Sequence, residues 1–405
     1  MKKFVLLCSV LFAAAFAANI VLPVRSTYAA TQVLKVCNWE DYIDEAVCDE
    51  FEAYMAEKGQ TVRVEYSTFG TNENLYNDLK IANGYLYDVV CPSDYMIEKM
   101  AKEGMLAKIS LAEDGNYASY VSPYISGIFE DSITWTNGGA QESLADYAVG
   151  YMWGTMGFTY NPAFSDSIEE DMKSWLSIWD EAYSKKVTIK DSVRDSYFVG
   201  IAYACRDELK ELKDQYAAGE IDREAYNEAL TEIFNRTDEE TVANVEEGLK
   251  TLKKNLFGFE VDEGKNDMVT GKISVNFAWS GDAVYAMDEA EADGVELSYS
   301  VPEEGSNIWF DGWSEEKRFL ILTENLFIYI KKELAKEFIE FLSLPEIAVR
   351  NMEYIGYTSV IAGDMPFSIE YCEYDKNDEP IPGSEYTVEY TGVLDWLTQY
   401  YELET

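Results

Sequence analysis

The sequence predicts an α/β fold of two lobes, each built on a mainly parallel sheet flanked by helices, with hinge crossovers between them. Strands and helices alternate from residue 31, a second alternating series begins near residue 146, and more helices follow residue 311. With 405 residues, 47% of them hydrophobic, the chain can bury two cores. We expect 31–145 plus 312–355 to form lobe 1, and 146–311 plus 356–405 to form lobe 2.

The first lobe begins with three strands that alternate with three helices. The strands are predicted in "QVLKVCNW", "QTVRVEYSTF" and "YDVVCPS", and the helices in "DEAVCDEFEAYMAEKG", "NENLYNDLKIANG" and "DYMIEKMAKEGML". This alternation predicts right-handed crossovers and parallel pairing. Ligands bind outside the carboxyl ends of such strands, where "NWEDY" and "PSDY" both lie.

The second lobe begins at "YAVGYMWGTMGFTYNP", where glycines among aromatic residues indicate either a crossing segment with close backbone approach or a plain strand with tight turns. The strand in "KKVTIKDSVRDSYFVGIAYACR" ends at Asp191 to Asp195 and leads into a helix. Residues 206–254 are predicted as a solvated helical excursion, with Thr237 and Glu240 as a capping box.

Two later segments place aromatic and acidic residues at strand ends. "KISVNFAWSGDAVYA" predicts a strand ending at Trp279, with Ser280 or Asp282 available to cap the next helix. In "NIWFDGW", Trp309 and Asp311 are two residues apart, which puts both side chains on one face of an extended segment. Further helices lead to an aromatic turn at Tyr357.

Composition narrows the range of functions that the protein could have. A formal charge of −43 attracts cations and argues against nucleic-acid and anionic-lipid partners, although most acidic residues serve solubility. The chain has no histidine, which excludes Ser/His/Asp triads, Cys/His dyads and His-ligated zinc. The six cysteines show no zinc spacing and are predicted to be buried, and neither "DEGKND" nor "YDKNDEP" has the full calcium-loop pattern. We therefore predict no metal site and no cofactor.

Residues 1–30 are predicted to be a signal peptide or an N-terminal anchor. Lys2 and Lys3 precede a long apolar run, and small-residue cleavage patterns occur at 15–17 and 27–29. We expect export to the periplasm or to the outer face of the cytoplasmic membrane.

The predicted strand ends together form a cation-binding constellation. Aromatic faces hold alkyl chains and attract ammonium groups, and carboxylates add charge-assisted hydrogen bonds. In "CNWEDY" the tryptophan is followed at once by two carboxylates, Glu40 and Asp41. The full set is Trp39, Glu40, Asp41, Tyr42, Tyr95, Asp195, Trp279, Trp309, Asp311 and Tyr357. The ligand that fits this set is a thin, flexible, multiply protonated amine.

The sequence resembles the polyamine (spermidine/putrescine) binding proteins of ABC importers over nearly all of residues 33–400. The motifs are "NWEDY", "YDVVCPSDYMIEKMAKEGML", "WGTMGFTYN", "DSVRD", "FAWSGDA", "NIWFDGW" and "NMEYIGYTS". The resemblance implies a type II periplasmic-binding-protein fold and a monomer without enzymatic activity. Such a monomer captures spermidine or putrescine between its lobes and delivers it to a membrane-embedded ABC permease.

The same resemblance implies which residues line the slot. They are Trp39, Asp41, Tyr42, Ser93, Tyr95, Asp195, Trp279, Trp309, Asp311 and Tyr357. Some members of the family carry an acidic residue three positions before the one matched by Asp195, where this chain has Ser192. The choice between a diamine and a triamine therefore stays open.

Three other functions stay open at this point. A solute-binding protein for another small ligand is the closest alternative, and the pairing of tryptophan with aspartate favours amines over sugars or anions. A glycosidase also pairs carboxylates among aromatic residues. A surface adhesion protein would explain the leader and the charge, but it would need neither two lobes nor a slot.

Overall fold

A computed structural model describes residues 31–82, 86–317, 325–362, 366–372 and 381–393, except for the side chains of 325–330 and 370. The chain forms two compact units. Among the described residues, 31–152, 310–354 and 359–393 belong to unit 1, and 153–309 with 355–358 belong to unit 2. The predicted leader, residues 1–30, and the "YDKNDEP" segment lie outside the described residues.

Unit 1 begins with the predicted alternation of strands and helices. The strands are β1 (Gln32–Trp39), β2 (Val62–Phe69), β3 (Val89–Val90) and β4 (Leu106–Ala107). The helices are α1 (Ala46–Glu57), α2 (Asn72–Ala82) and α3 (Asp94–Lys102). Helix α1 buries Val47, Phe51 and Met55, and ends before Gly59, which has a φ of 79°. The apolar period of the sequence therefore places the helix correctly.

The next part of unit 1 consists of short elements that lead to a long strand. They are α4 (Asn116–Tyr120), α5 (Pro123–Gly127), β5 (Thr134–Asn137) and β6 (Ala140–Ser143). Strand β7 (Val149–Tyr160) then begins in unit 1 and ends in unit 2. The chain thus enters unit 2 after Met152, where the sequence predicted a crossover near residue 145.

Unit 2 contains a second series of strands and helices. The strands are β8 (Val187–Lys190), β9 (Gly258–Glu260), β10 (Val275–Trp279) and β11 (Ser298–Ser300). The helices are α6 (Ile168–Asp171), α7 (Val193–Ala204), α8 (Arg206–Ala217), α9 (Arg223–Phe234), α10 (Glu239–Asn255), α11 (Glu263–Val269) and α12 (Ser280–Ala292). Strands β8, β9 and β10 pair in parallel, and β7 pairs antiparallel with β10 and β11.

The chain returns to unit 1 along β12 (Ile308–Glu316), leaving unit 2 after Trp309. The elements that follow are α13 (Asn325–Leu342), α14 (Pro345–Ile355), β13 (Thr358–Ser359), β14 (Phe367–Tyr371) and β15 (Tyr386–Tyr390). In unit 1, β1 is parallel to β2 and β3, whereas β12 is antiparallel to β3 and β4. The mixed α/β fold with mainly parallel sheets therefore agrees with the prediction.

The described residues of 359–393 belong to unit 1, whereas the sequence placed 356–405 with the second lobe. The backbone N–H of Val360 donates to the Tyr151 carbonyl at 3.1 Å, and Val121 and Ile361 form a β-bridge. The Tyr371 hydroxyl donates to Glu353 Oε1 of α14 at 3.1 Å. These contacts join residues far apart along the chain, so local sequence patterns do not indicate them.

The prediction of a solvated excursion over 206–254 is wrong for α10. That helix buries Val245 and Leu252 in the same core as α7. Its N-cap is Asp238, whose Oδ1 accepts the Thr241 N–H at 3.0 Å, so the predicted capping box of Thr237 and Glu240 is also wrong. Helices α8 and α9 are mostly exposed, as predicted.

Two further observations concern membrane spans and thiols. Among the described residues, no helix combines the length and the apolarity that crossing a membrane requires. The five cysteines in this part of the chain are all buried free thiols, as predicted.

Candidate functional site

In unit 1, the ends of β1 and β3 lie at the same edge of the sheet. The two strands are parallel, with Val36 opposite Val89 and Cys37 opposite Val90. The segments that follow them, "NWEDY" and "PSDY", therefore come together as predicted. Strand β12 completes this edge, because Ser93 forms a β-bridge with Asp311.

The Asp311 cluster, which consists of Asp311, Tyr42 and Ser93, is the centre of this edge. The Asp311 side chain is only 4% exposed, and its Oδ2 accepts the Tyr42 hydroxyl at 2.8 Å. Among the residues that the structure describes, no donor is in hydrogen-bonding geometry with the buried oxygen Oδ1. A buried carboxylate oxygen in this state is suited to accept a hydrogen bond from a ligand.

The protonation of Asp311 is strongly shifted. Burial raises its pKa from 3.8 to about 7, and the charge of Asp94 adds to the rise. The hydroxyls of Ser93 and Tyr42 favour the ionised form and oppose the shift. The carboxyl therefore changes charge near neutral pH, and a cationic ligand would favour the ionised form.

Two residues that the sequence analysis did not select hold the Asp311 cluster in place. Asn72, at the start of α2, donates to Ser93 Oγ at 3.0 Å and accepts the Ser93 N–H at 3.0 Å. The Tyr151 hydroxyl donates to the Tyr42 carbonyl at 2.9 Å, and its ring contacts that of Tyr42 edge-on. The sequence signal for Asn72 was its position shortly after β2, whereas its burial is seen only in the structure.

The other predicted residues of unit 1 lie around this edge. The Trp39 ring packs on Phe69 with ring centroids 4.6 Å apart. The Tyr95 hydroxyl donates to Glu73 Oε1 at 3.0 Å. Glu40 and Asp41 form an exposed turn after β1, in which Asp41 has a φ of 49°. The structure thus joins Tyr42 and Ser93 to Asp311 and places the two carboxylates of "NWEDY" in the exposed turn.

In unit 2, the parallel strands β8 and β10 bring together Asp195 and Trp279. Val187 lies opposite Val275, Trp279 ends β10, and Asp195 is in the first turn of α7. Burial raises the pKa of Asp195, whereas hydrogen bonds from Ser192 and Trp279 oppose the rise. These two predicted residues are therefore in contact.

The predicted pair of Trp309 and Tyr357 also forms a contact within unit 2. Their rings meet edge-on, with centroids 5.7 Å apart. Gly281 allows the Tyr357 ring to lie against the start of α12, because a Cβ there would be 2.2 Å from the ring. Gly154 similarly makes room for Trp309, because a Cβ there would be 2.6 Å from the Trp309 ring, which agrees with close approach, one of the two alternatives left open for this segment.

The Lys190 cluster, which consists of Lys190, Glu260 and Asp282, is a buried ionic group that the sequence analysis missed. Lys190 Nζ lies 3.0 Å from Asp282 Oδ2 and 3.2 Å from Glu260 Oε1. The prediction that Ser280 or Asp282 caps α12 is wrong, because neither side chain bonds to the start of that helix. Asp282 instead accepts a hydrogen bond from the Tyr357 hydroxyl at 2.8 Å. Helix-capping patterns in the local sequence do not predict this contact.

The comparisons with known proteins all indicate extracellular solute-binding proteins. A family model described as bacterial extracellular solute-binding protein matches residues 46–363. The spermidine/putrescine-binding periplasmic protein of Salmonella typhimurium is 26% identical, covering 79% of this chain and 75% of the relative. The putrescine-binding periplasmic protein SpuD of Pseudomonas aeruginosa is 26% identical, with 87% and 84% covered.

A solved structure has the same fold. The spermidine/putrescine ABC transporter substrate-binding protein PotD of Streptococcus pneumoniae is 25% identical, with a TM-score of 0.56, covering 82% of this chain and 83% of that one. The predicted type II periplasmic-binding-protein fold is therefore confirmed. The chain belongs to the bacterial extracellular solute-binding protein family.

Proposed function

We propose that this protein binds a polyamine, spermidine or putrescine or both, outside the cytoplasmic membrane and delivers it to an ABC importer. The observation that carries the proposal is Asp311, a buried carboxylate with one oxygen that no donor of the described residues satisfies. It lies beside the Tyr42 hydroxyl at the carboxyl ends of parallel strands. A ligand ammonium would supply the missing donor and the missing positive charge.

The second set of contacts comes from unit 2. Trp279, Trp309 and Tyr357 offer aromatic faces, and Asp195 offers a carboxylate beside Trp279. Aromatic faces attract cations and also pack against methylene groups. The contacts of unit 2 therefore also suit a ligand that has ammonium groups and an alkyl chain.

The names of the relatives support an amine over the alternatives. Both relatives described above are named for putrescine binding, one also for spermidine, and none of the three proteins is named as a glycosidase. The proposal therefore includes no catalytic step. The complete slot proposed is Trp39, Glu40, Asp41, Tyr42, Ser93, Tyr95, Asp195, Trp279, Trp309, Asp311 and Tyr357.

The proposal also includes export, a monomeric state, delivery to a membrane permease and hinge closure of the two lobes on the ligand. The relatives are periplasmic proteins, which supports the location. Closure is testable by small-angle scattering, because a hinge motion shortens the particle. Adding saturating spermidine should reduce the radius of gyration, whereas an unchanged profile with ligand bound would exclude closure.

The experiment that tests the binding proposal compares two buried aspartates of unit 1. Asp311→Asn should weaken putrescine and spermidine binding about 30-fold to several thousand-fold in calorimetric titrations, because an enclosed ammonium would lose its partner. Asp88→Asn is the matched control, since Asp88 is 5% exposed but already paired with Lys331 at 2.8 Å. If Asp311→Asn binds both amines as tightly as Asp88→Asn does, the assigned cation site is wrong.

A further inference from the structure

Asn72 is a buried asparagine that makes two hydrogen bonds to Ser93. It lies at the start of α2 and is only 4% exposed. The Ser93 N–H can only donate, so the Asn72 atom that lies 3.0 Å from it is the amide oxygen. The amide nitrogen then faces Ser93 Oγ and donates to it at 3.0 Å. The two bonds together fix the direction of the amide, which heavy-atom positions alone do not fix for most asparagines.

The direction of this amide decides where the Ser93 hydroxyl hydrogen points. An amide NH₂ group cannot accept a hydrogen bond, so the hydroxyl donates to a group other than Asn72. Ser93 is also the N-cap residue of α3, where a serine oxygen usually accepts an N–H of the helix. Its side chain makes no such bond here. Asn72 therefore replaces the helix as the donor to Ser93 Oγ.

Asp311 is the acceptor that faces the Ser93 hydroxyl. The two residues are directly opposite in an antiparallel β-bridge, which puts their side chains on one face with Cβ atoms about 5 Å apart. The Ser93 hydroxyl favours the ionised carboxylate of Asp311, and does so more strongly than the Tyr42 hydroxyl. The other titratable groups that face Asp311 in the described part of the chain are Asp94, whose charge opposes ionisation, and the thiol of Cys91, whose pKa burial raises.

We propose that Asn72 is a positioning residue, which holds the Ser93 hydroxyl toward the Asp311 carboxylate and so keeps that carboxylate ionised for a ligand ammonium. Without the amide, Ser93 Oγ would turn to accept an N–H of α3, as an N-cap serine usually does. Its hydrogen would then leave the carboxylate, and Asp311 would titrate at a higher pH. Only the role of the ligand in this inference rests on the proposed function, because the titration belongs to the ligand-free protein.

Carbon-13 NMR of the ligand-free protein, labelled at its aspartate carboxyl groups, measures the titration midpoint of Asp311. The resonance is assigned by its loss in Asp311→Asn. Asn72→Leu should raise the midpoint by about half to one pH unit, and Ser93→Ala by about one unit, because both remove the hydroxyl from the carboxylate. In a Ser93→Ala background, Asn72→Leu should add less than about 0.2 units, because no hydroxyl is left to position.

Asn351→Leu is the matched control for the loss of a buried amide in unit 1. Asn351 is 0% exposed, and its Oδ1 accepts the Asp44 N–H at 3.1 Å rather than a bond from the Asp311 cluster. This variant should leave the Asp311 midpoint within about 0.2 units of the parent. A shift as large as that of Asn72→Leu would show that any lost buried amide has this effect, and would overturn the inference.

Calorimetric titration with putrescine tests the consequence for binding. Asn72→Leu should weaken binding about threefold to tenfold at pH 6, but less than about twofold at pH 8.5, where Asp311 is ionised in both proteins. A purely structural role of Asn72 would instead weaken binding alike at both pH values, and that result overturns the inference.

The NMR midpoints separate failure of this inference from failure of the proposed function. A midpoint in folded Asn72→Leu within about 0.2 units of the parent, or a rise that is just as large in the Ser93→Ala background, overturns the inference. Circular dichroism melting shows which variants fold. If Asn72→Leu does not, Ser93→Ala decides, since a rise of about one unit supports the inference and an unchanged midpoint overturns it. A parent that binds neither putrescine nor spermidine would refute the proposed function, while the midpoints still decide the role of Asn72.

Discussion

Polyamine binding should depend on pH through Asp311. The carboxyl titrates at about 7 without ligand, and only its ionised form pairs with an ammonium. The ionised fraction is then about 90% at pH 8, about 10% at pH 6 and about 1% at pH 5. Alkyl ammonium groups stay protonated over this range, as that of lysine does. The dissociation constant for putrescine should therefore rise about tenfold from pH 8 to pH 6, and about 100-fold from pH 8 to pH 5.

Titration calorimetry in two buffers of different ionisation heat measures both the affinity and the protons released. At pH 7, binding should release about half a proton per ligand, because the ligand drives the remaining carboxyl to ionise. Asp311→Asn should lose the proton release and the change in affinity near pH 7, while Asp88→Asn should keep both. An affinity that stays constant from pH 8 to pH 5, without proton release, would refute the role given to Asp311.

In the ligand-free protein, ionisation of Asp311 should lower the free energy of unfolding. Its pKa in the folded protein lies above the ordinary 3.8, so the ligand-free protein loses stability as the pH rises from about 4 to about 7. The gap between 3.8 and about 7 corresponds to at most about 4 kcal/mol. Asp311→Asn should thus raise the melting temperature of the ligand-free protein at pH 8, and a lower melting temperature would contradict this cause of the pKa shift.

Four further substitutions have defined outcomes. Trp309→Ala should weaken polyamine binding about tenfold, which is less than the effect of Asp311→Asn. Glu40→Gln should change the affinity less than about threefold, because the Glu40 carboxylate is exposed. A calorimetric titration in which Glu40→Gln weakens binding more than Trp309→Ala would contradict the slot. Ser192→Asp adds a carboxylate at the start of α7 and should favour spermidine over putrescine about fivefold, which a ratio unchanged from the parent would exclude. Gly281→Ala should weaken both amines, since its Cβ would be 2.2 Å from the Tyr357 ring, and unchanged affinities would show that the position of this ring does not matter.

The strand ends could be predicted because each follows an apolar run that the sequence displays directly. "QVLKVCNW" is the observed β1, and the strand that ends at Trp279 is the observed β10. Parallel pairing then brings the predicted segments together without knowledge of any individual contact. The Tyr42–Asp311 hydrogen bond, between residues 269 positions apart, also requires β12, which is antiparallel to β3.

The Lys190 cluster could not be predicted in the same way. A lysine at the end of a strand normally extends into solvent, and nothing local distinguishes Lys190 from such a residue. Its partners lie 71 and 92 positions further along the chain, at Val261 and Asp282. The burial of α10 and the return of 359–393 to unit 1 were missed for the same reason, since both depend on contacts between distant segments.

Calorimetric titration of the parent protein at pH 8 with putrescine, spermidine, a neutral sugar and a cationic amino acid tests the central claim most directly. We expect at least one of the two polyamines to bind saturably with one ligand per chain, and the sugar and the amino acid to give no saturable heat. Binding of the sugar or the amino acid, with no binding of either polyamine, would contradict the assignment of the slot to a linear multiply charged amine.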